Sequence, residues 1–138
     1  MIRNRLLLLS IATPVLLALG ACRHTSRLER IAREARTFTE KKCPFNVDQY
    51  TRLDSTTFDT AARCYYYNYT VNGILDNDSV YTPDQGQRFR EQTLEEIRSS
   101  IGLRGYKEAG LTLVWRYYSE QSGRLLAEYK FTKEDYSN

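Results

Sequence analysis

The chain has 138 residues, with 20 Lys and Arg against 17 Asp and Glu, and a formal charge of +3. Its length suits one modest domain. Arg3 and Arg5 lie at the extreme N-terminus, and setting them aside leaves 18 basic against 17 acidic residues. A chain so close to neutral lacks the broad basic surface that holds nucleic acid.

After Arg3 and Arg5 comes an apolar run, Leu6 to Leu19, interrupted by Ser10, Thr13 and Pro14. It falls short of the roughly 20 apolar residues of a comfortable membrane span. It closes on Leu19-Gly20-Ala21-Cys22, with small residues where a signal peptidase needs them. This stretch resembles the lipobox of bacterial lipoproteins. The resemblance implies that residues 1–21 are a signal peptide cleaved before Cys22. It also implies a diacylglycerol on the Cys22 thiol and, in many bacteria, a further acyl chain on its amine. At about 0.8 kcal/mol per buried methylene, several such chains hold a protein durably at a membrane. Arg23 and His24 follow the cysteine, with no aspartate in second place. By the sorting rule of some Gram-negative lineages, that points to the outer membrane, facing the periplasm.

Residues 22–41 are set apart as a tether with amphipathic helical character. Leu28, Ile31, Ala32, Ala35 and Phe38 recur at spacings of three and four between charged residues. This helix is either a stalk or partner-binding element, or it lies across the domain's own sheet. Cys43-Pro44 breaks it. Thr51 to Phe58 and Arg63 to Val71 are expected strands around a turn at Asp59-Thr60-Ala61. The second is unusual, because Tyr65, Tyr66, Tyr67 and Tyr69 put aromatic rings on both faces. Asn72-Gly73 ends it, and residues 72–82 are polar and turn-rich, as in an exposed loop.

Thr82-Pro83-Asp84-Gln85 is a helix start, with Thr82 as cap and Pro83 in the first turn. The periodicity directs Phe89, Leu94, Ile97 and Ile101 inward, and Gly102 and Gly105 stop the helix. Leu111 to Tyr118 and Leu125 to Thr132 alternate apolar and mixed residues around Ser119-Glu120-Gln121-Ser122-Gly123, the pattern of a hairpin. The expected architecture is therefore α+β: a four-stranded antiparallel sheet made of two hairpins, with helical cover and the order α-β-β-α-β-β. The domain is placed at residues 42–133, with 134–138 as a tail. Cys43-Pro44, Val47-Asp48, Thr51-Arg52-Leu53-Asp54-Ser55 and the Tyr-rich strand resemble a small domain of uncharacterised bacterial proteins. That resemblance spans about residues 42–133 and supports the boundaries, without implying an activity.

If lipid takes Cys22, then Cys43 and Cys64 are an even pair in an oxidising compartment, where a disulfide is expected. Such a bridge would stabilise the fold by roughly 3 kcal/mol. The spacing of these cysteines does not suit a metal site. No cofactor motif is evident either, since Gly102-Leu103-Arg104-Gly105 lacks both the lysine and the preceding strand of a phosphate loop.

Acid–base catalysis usually needs a histidine, and the single one, His24, sits two residues from the anchor. Asp48, Asp54, Glu128 and Asp135 are left as carboxylates for a small enzyme, a reading set below a non-catalytic one. The favoured surface is the sheet face opposite Tyr65, Tyr67 and Tyr69. It would carry Tyr66 and Asn68 with Arg116 and Tyr118, a composition typical of interaction surfaces. The expectation is a lipid-anchored binding or assembly module for a protein or envelope partner. The alternative is an immunity or inhibitor lipoprotein directed against a toxin or hydrolase.

Overall fold

A computed structural model describes residues 22–138, with side chains from Arg27 onward. The expected signal segment, residues 1–21, and the Cys22 side chain lie outside the described residues. The elements are α1 (Cys22–Lys42), β1 (Phe45–Asn46), β2 (Thr51–Asp59), β3 (Cys64–Val71), α2 (Pro83–Ser99), α3 (Arg104–Glu108), β4 (Thr112–Ser119), β5 (Leu125–Phe131) and α4 (Lys133–Tyr136). Two single 3-10 turns, Gly73–Leu75 and Asp78–Val80, shape the segment between β3 and α2. Among these elements no helix is long and apolar enough to cross a membrane.

The fold is α+β, but its sheet has five strands and mixed direction. Strand order follows the sequence, β1-β2-β3-β4-β5. The hairpins β2–β3 and β4–β5 are antiparallel, whereas β3 and β4 run parallel, with Tyr65 opposite Leu113 and Tyr69 opposite Tyr117. The expected all-antiparallel, four-stranded sheet is corrected here. Residues 72–111 contain a helix, and a crossover of that length returns the chain to the same end of the sheet, as parallel neighbours require. Alternation along β3 and β4 is the same for either direction. The fifth strand, β1, pairs only Phe45 with Leu53 and Asn46 with Arg52, too short to show as a pattern.

The helices share one sheet face. Ile31 and Ala35 of α1 and Ile97 of α2 pack with Tyr65, Leu113 and Phe131 from three adjacent strands. All six are under 5% exposed. The segment set apart as a tether thus contributes to the core. The expected tail does too: residues 133–136 form α4, and Tyr136 is buried with its hydroxyl donating to the Leu111 carbonyl at 2.7 Å. Thr132 and Asp135 cap that helix reciprocally, which explains why so short an element forms. At the start of α2 the expected cap is present, with Thr82 Oγ1 accepting the Gln85 N–H at 3.3 Å.

Ile101 departs from its expected inward position and is 87% exposed. The cap residue Ser100 takes extended backbone angles, so the helical periodicity ends before Ile101 is reached.

The Cys43–Cys64 disulfide is also corrected, since both thiols are unbonded. Cys43 precedes β1, where Phe45 faces Leu53, while Cys64 faces Asp59. Carried back along antiparallel β1, Cys43 falls near Ser55, about four residues from Asp59 on β2, roughly 13 Å at about 3.3 Å per residue, with β2 itself between the two cysteines. A bridge requires Cα atoms within about 7 Å. Burial and the nearby Asp54 carboxylate push the Cys43 thiol up from its ordinary range.

Candidate functional site

The four residues singled out from sequence do meet on one face. Asn68 lies opposite Arg116 and Thr70 opposite Tyr118, while Tyr66 is one pleat away beside Val114. The helices pack on the other side of the sheet, against Tyr65, Leu113 and Phe131, so α1 does not roof this face. It is a self-satisfied polar lattice. The Arg116 guanidinium lies 4.0 Å over the Tyr66 ring, and its Nε donates to Glu128 at 2.7 Å. Lys130 meets the other Glu128 oxygen at 3.2 Å, and Asn68 donates to Ser55 at 3.1 Å. Hydrogen bonding from Arg116, with help from Lys130, holds the Glu128 carboxyl below its ordinary range. Under these long side chains Val114 is completely buried. The face is amphipathic, with charged and amide groups set around a buried apolar residue.

The four candidate carboxylates serve separate local contacts. Asp48 accepts the Tyr50 N–H at 2.8 Å, and Asp54 pairs with Arg52 at 2.6 Å. Glu128 binds Arg116, and Asp135 pairs with Arg90 at 3.0 Å. Asp54 and Glu128 occupy the same sheet but are separated by β3 and β4, roughly 14 Å at the usual strand spacing. At that separation these two carboxylates do not work as an acid–base pair on one bond. Among the described residues no group of three or more His, Cys, Asp or Glu could hold a metal ion.

The second feature was not visible in the sequence. On the helical side, at the end of the sheet where β3 and β4 finish, a cleft of about 350 Å³ opens between the β1–β2 turn and the start of α2. Val71, Val80 and Phe89 form apolar walls, and Asp48, Tyr81 and Tyr117 bring polar atoms to them. The Tyr117 ring stacks on Tyr69 at 5.1 Å and meets Phe89 edge-on at 5.7 Å. Burial raises the Tyr117 phenol far above its ordinary range and pushes Tyr81 and Tyr69 up to about 12. These hydroxyls are therefore neutral hydrogen-bonding groups at physiological pH. Nearby, Val47 and Ile74 are 54% and 67% exposed. The cleft draws on five separate chain segments, so no local pattern could reveal it. Its mix of apolar walls and a few polar groups suits apolar side chains fixed by hydrogen bonds.

The cleft and Cys22 belong to opposite ends of α1. The helix runs 21 residues from Cys22 to Lys42, just before the β1–β2 turn. At about 1.5 Å per residue, that is roughly 31 Å.

Comparison with known proteins places the chain in a family. A family model described as a domain of unknown function (DUF8479) matches residues 26–127, and the chain belongs to that family. None of the curated proteins matches it. Among solved structures it is similar to a candidate secreted protein of Pseudomonas aeruginosa, with 14% identity and a TM-score of 0.64, covering 86% of this chain and 97% of that one. It is also similar to the type 2 secretion system pilotin of Vibrio vulnificus, EpsS, at 10% identity and TM-score 0.60, covering 81% and 93%. The type II secretion system pilotin AspS of Vibrio cholerae follows, at 13% identity and TM-score 0.55, covering 80% and 93%. At these identities the likeness is one of fold.

Proposed function

We propose that this family member is a lipid-anchored envelope protein, held through Cys22 at the outer membrane facing the periplasm, that works as a non-catalytic binding or assembly module for a protein partner. The Leu19-Gly20-Ala21-Cys22 stretch supports the anchor, and the fold shared with two type II secretion pilotins supports an assembly role. The cleft at the far end of α1 from the anchor is the observation that carries the reading. Asp48 lines it and Asp76 lies near the Tyr81 phenol, so its surroundings carry negative charge. The matching partner is a protein segment with apolar side chains and basic neighbours. The helix-free sheet face, with Tyr66, Asn68, Arg116 and Tyr118, is a second contact surface in this proposal.

Site-specific photocrosslinking in the native envelope tests the reading. A photoreactive residue at Val47 should yield one adduct, identified by mass spectrometry as an envelope protein, and Val80→Asp should abolish it. Adducts formed only from position 66 would discard the cleft in favour of the sheet face. Adducts from neither position would overturn the binding module. Fatty-acid labelling of wild type against Cys22→Ala tests the anchor, and equal labelling would sink it.

A further inference from the structure

The turn between α2 and α3 sits where α1 begins. Arg27, one and a half turns into α1, donates from Nη2 to the Gly105 carbonyl at 2.9 Å. The chain bearing Cys22 therefore enters the domain beside residues 100–105. At the tip of this turn Ile101 is 87% exposed, the most exposed large apolar side chain among the described residues. The turn holds it firmly: the Ile101 carbonyl accepts the Arg104 N–H at 3.1 Å, and Ser100 Oγ accepts the Leu103 N–H at 3.3 Å.

The charge around Ile101 is basic. Arg98 donates to the Asp135 carbonyl, and Lys107 donates to the carbonyls of Ile97 and Arg98, each at 2.8 Å. Bonds to carbonyls satisfy these donors without neutralising their charge. Arg27 and Arg104 share the single carboxylate of Glu108, at 3.8 and 2.8 Å. Glu95 and Glu96 lie one turn further back on α2. An isolated exposed apolar residue is ordinary on a protein surface. An isoleucine projecting from a basic turn beside the point where the anchoring segment enters is not an isolated feature.

We propose that the turn 100–105 is a membrane-contact surface, in which Ile101 enters the interfacial layer of an anionic phospholipid leaflet while Arg98, Arg104 and Lys107 lie against its headgroups. The proposal rests on the lipid anchor at Cys22. A single acylated residue on a helix leaves the domain free to tumble, whereas a second contact fixes its orientation. With the turn held down, α1 rises from the bilayer and carries the cleft away from it, toward a partner in the aqueous space. Basic side chains near an anionic surface and a shallowly buried apolar side chain both favour such contact.

The test uses the full processed protein, its mass first showing whether Cys22 carries acyl chains. Amide hydrogen exchange is then compared in detergent micelles, in phosphatidylcholine vesicles, and in vesicles of phosphatidylethanolamine with phosphatidylglycerol. Exchange across residues 100–105 should slow about tenfold in the anionic vesicles relative to micelles, and less in phosphatidylcholine. Ile101→Asp should lose that protection while leaving exchange in β3 and β4 unchanged, and Arg104→Gln should weaken it. An acylated protein with no added protection in anionic vesicles overturns the contact surface and leaves the anchor standing. Equal protection in Ile101→Asp would assign the effect to nearness of the anchor, which also overturns it. A mass without acyl groups removes the anchor and this proposal together.

Discussion

Thr39 of α1 grips the backbone of Thr56 on β2 from both sides: its hydroxyl accepts the Thr56 N–H at 2.8 Å and donates to the Thr56 carbonyl at 2.9 Å. The Thr56 hydroxyl returns a bond to the Ala35 carbonyl at 3.0 Å. Because β1 pairs only with Leu53 and Arg52, the rest of the outer edge of β2 would stand open. The helix takes over that edge, a protection against strand-to-strand association. Thr39→Val keeps the shape and removes both bonds, leaving two backbone groups without partners. Unfolding in urea should show a loss of about 2 kcal/mol. A loss below about 0.5 kcal/mol, the lower range for one hydrogen bond, would show that α1 is not held this way.

The C-terminal turn is expected to be structural. Tyr136 is 6% exposed and its hydroxyl donates to the Leu111 carbonyl. Tyr136→Phe should cost about 1 kcal/mol, whereas Tyr136→Ala should cost about 3 kcal/mol or more through the cavity it leaves. Thermal unfolding of the two variants distinguishes them, and two equal midpoints would contradict the packing described.

Stability should fall on the alkaline side. Burial raises the phenols of Tyr67 and Tyr117 well above the ordinary value and that of Tyr69 to about 12. The unfolded chain releases these protons near pH 10, where the native state still holds them, so the native state binds more protons and stability declines as pH rises. The stabilisation is complete below about pH 10 and drains away toward pH 12. Urea midpoints from pH 8 to 11 should fall most steeply above about pH 9.5, after a smaller decline that the raised Cys43 thiol starts at about pH 8.5. A flat profile would contradict the buried phenols.

The thiols offer a direct check of the corrected cysteine assignment. Under non-reducing denaturation both Cys43 and Cys64 should react with a thiol reagent. Added reductant should leave the unfolding midpoint unchanged. Cys43→Ala with Cys64→Ala should cost far less than the roughly 3 kcal/mol expected of a lost bridge. A reductant-dependent midpoint would restore the disulfide.

Local patterns carried the helices and hairpins because each depends on short-range chemistry. Thr82 caps α2 with the Gln85 N–H at the spacing visible in the chain, and the two-residue alternation of β4 and β5 holds from Leu113 and Phe131 to Tyr117 and Ala127, breaking only at the irregularity where Tyr118 faces Leu125. The shared face of Tyr66, Asn68, Arg116 and Tyr118 also followed, since side-chain direction in a strand depends only on parity. The parallel joining of β3 to β4 did not, because alternation carries no record of a partner's direction. Ile101 was misjudged through a helical period extended one residue past its cap. The cysteines were misjudged because counting thiols says nothing about distance.

What the sequence determined by itself was the type and order of most elements and the aromatic face, all set by residues close together in the chain. Tertiary structure decided the mixed sheet, the separation of Cys43 from Cys64, the cleft around Tyr117, and the meeting of Arg27 with the turn that projects Ile101. Each of those depends on which distant segments pack together, and packing is settled by the whole core at once.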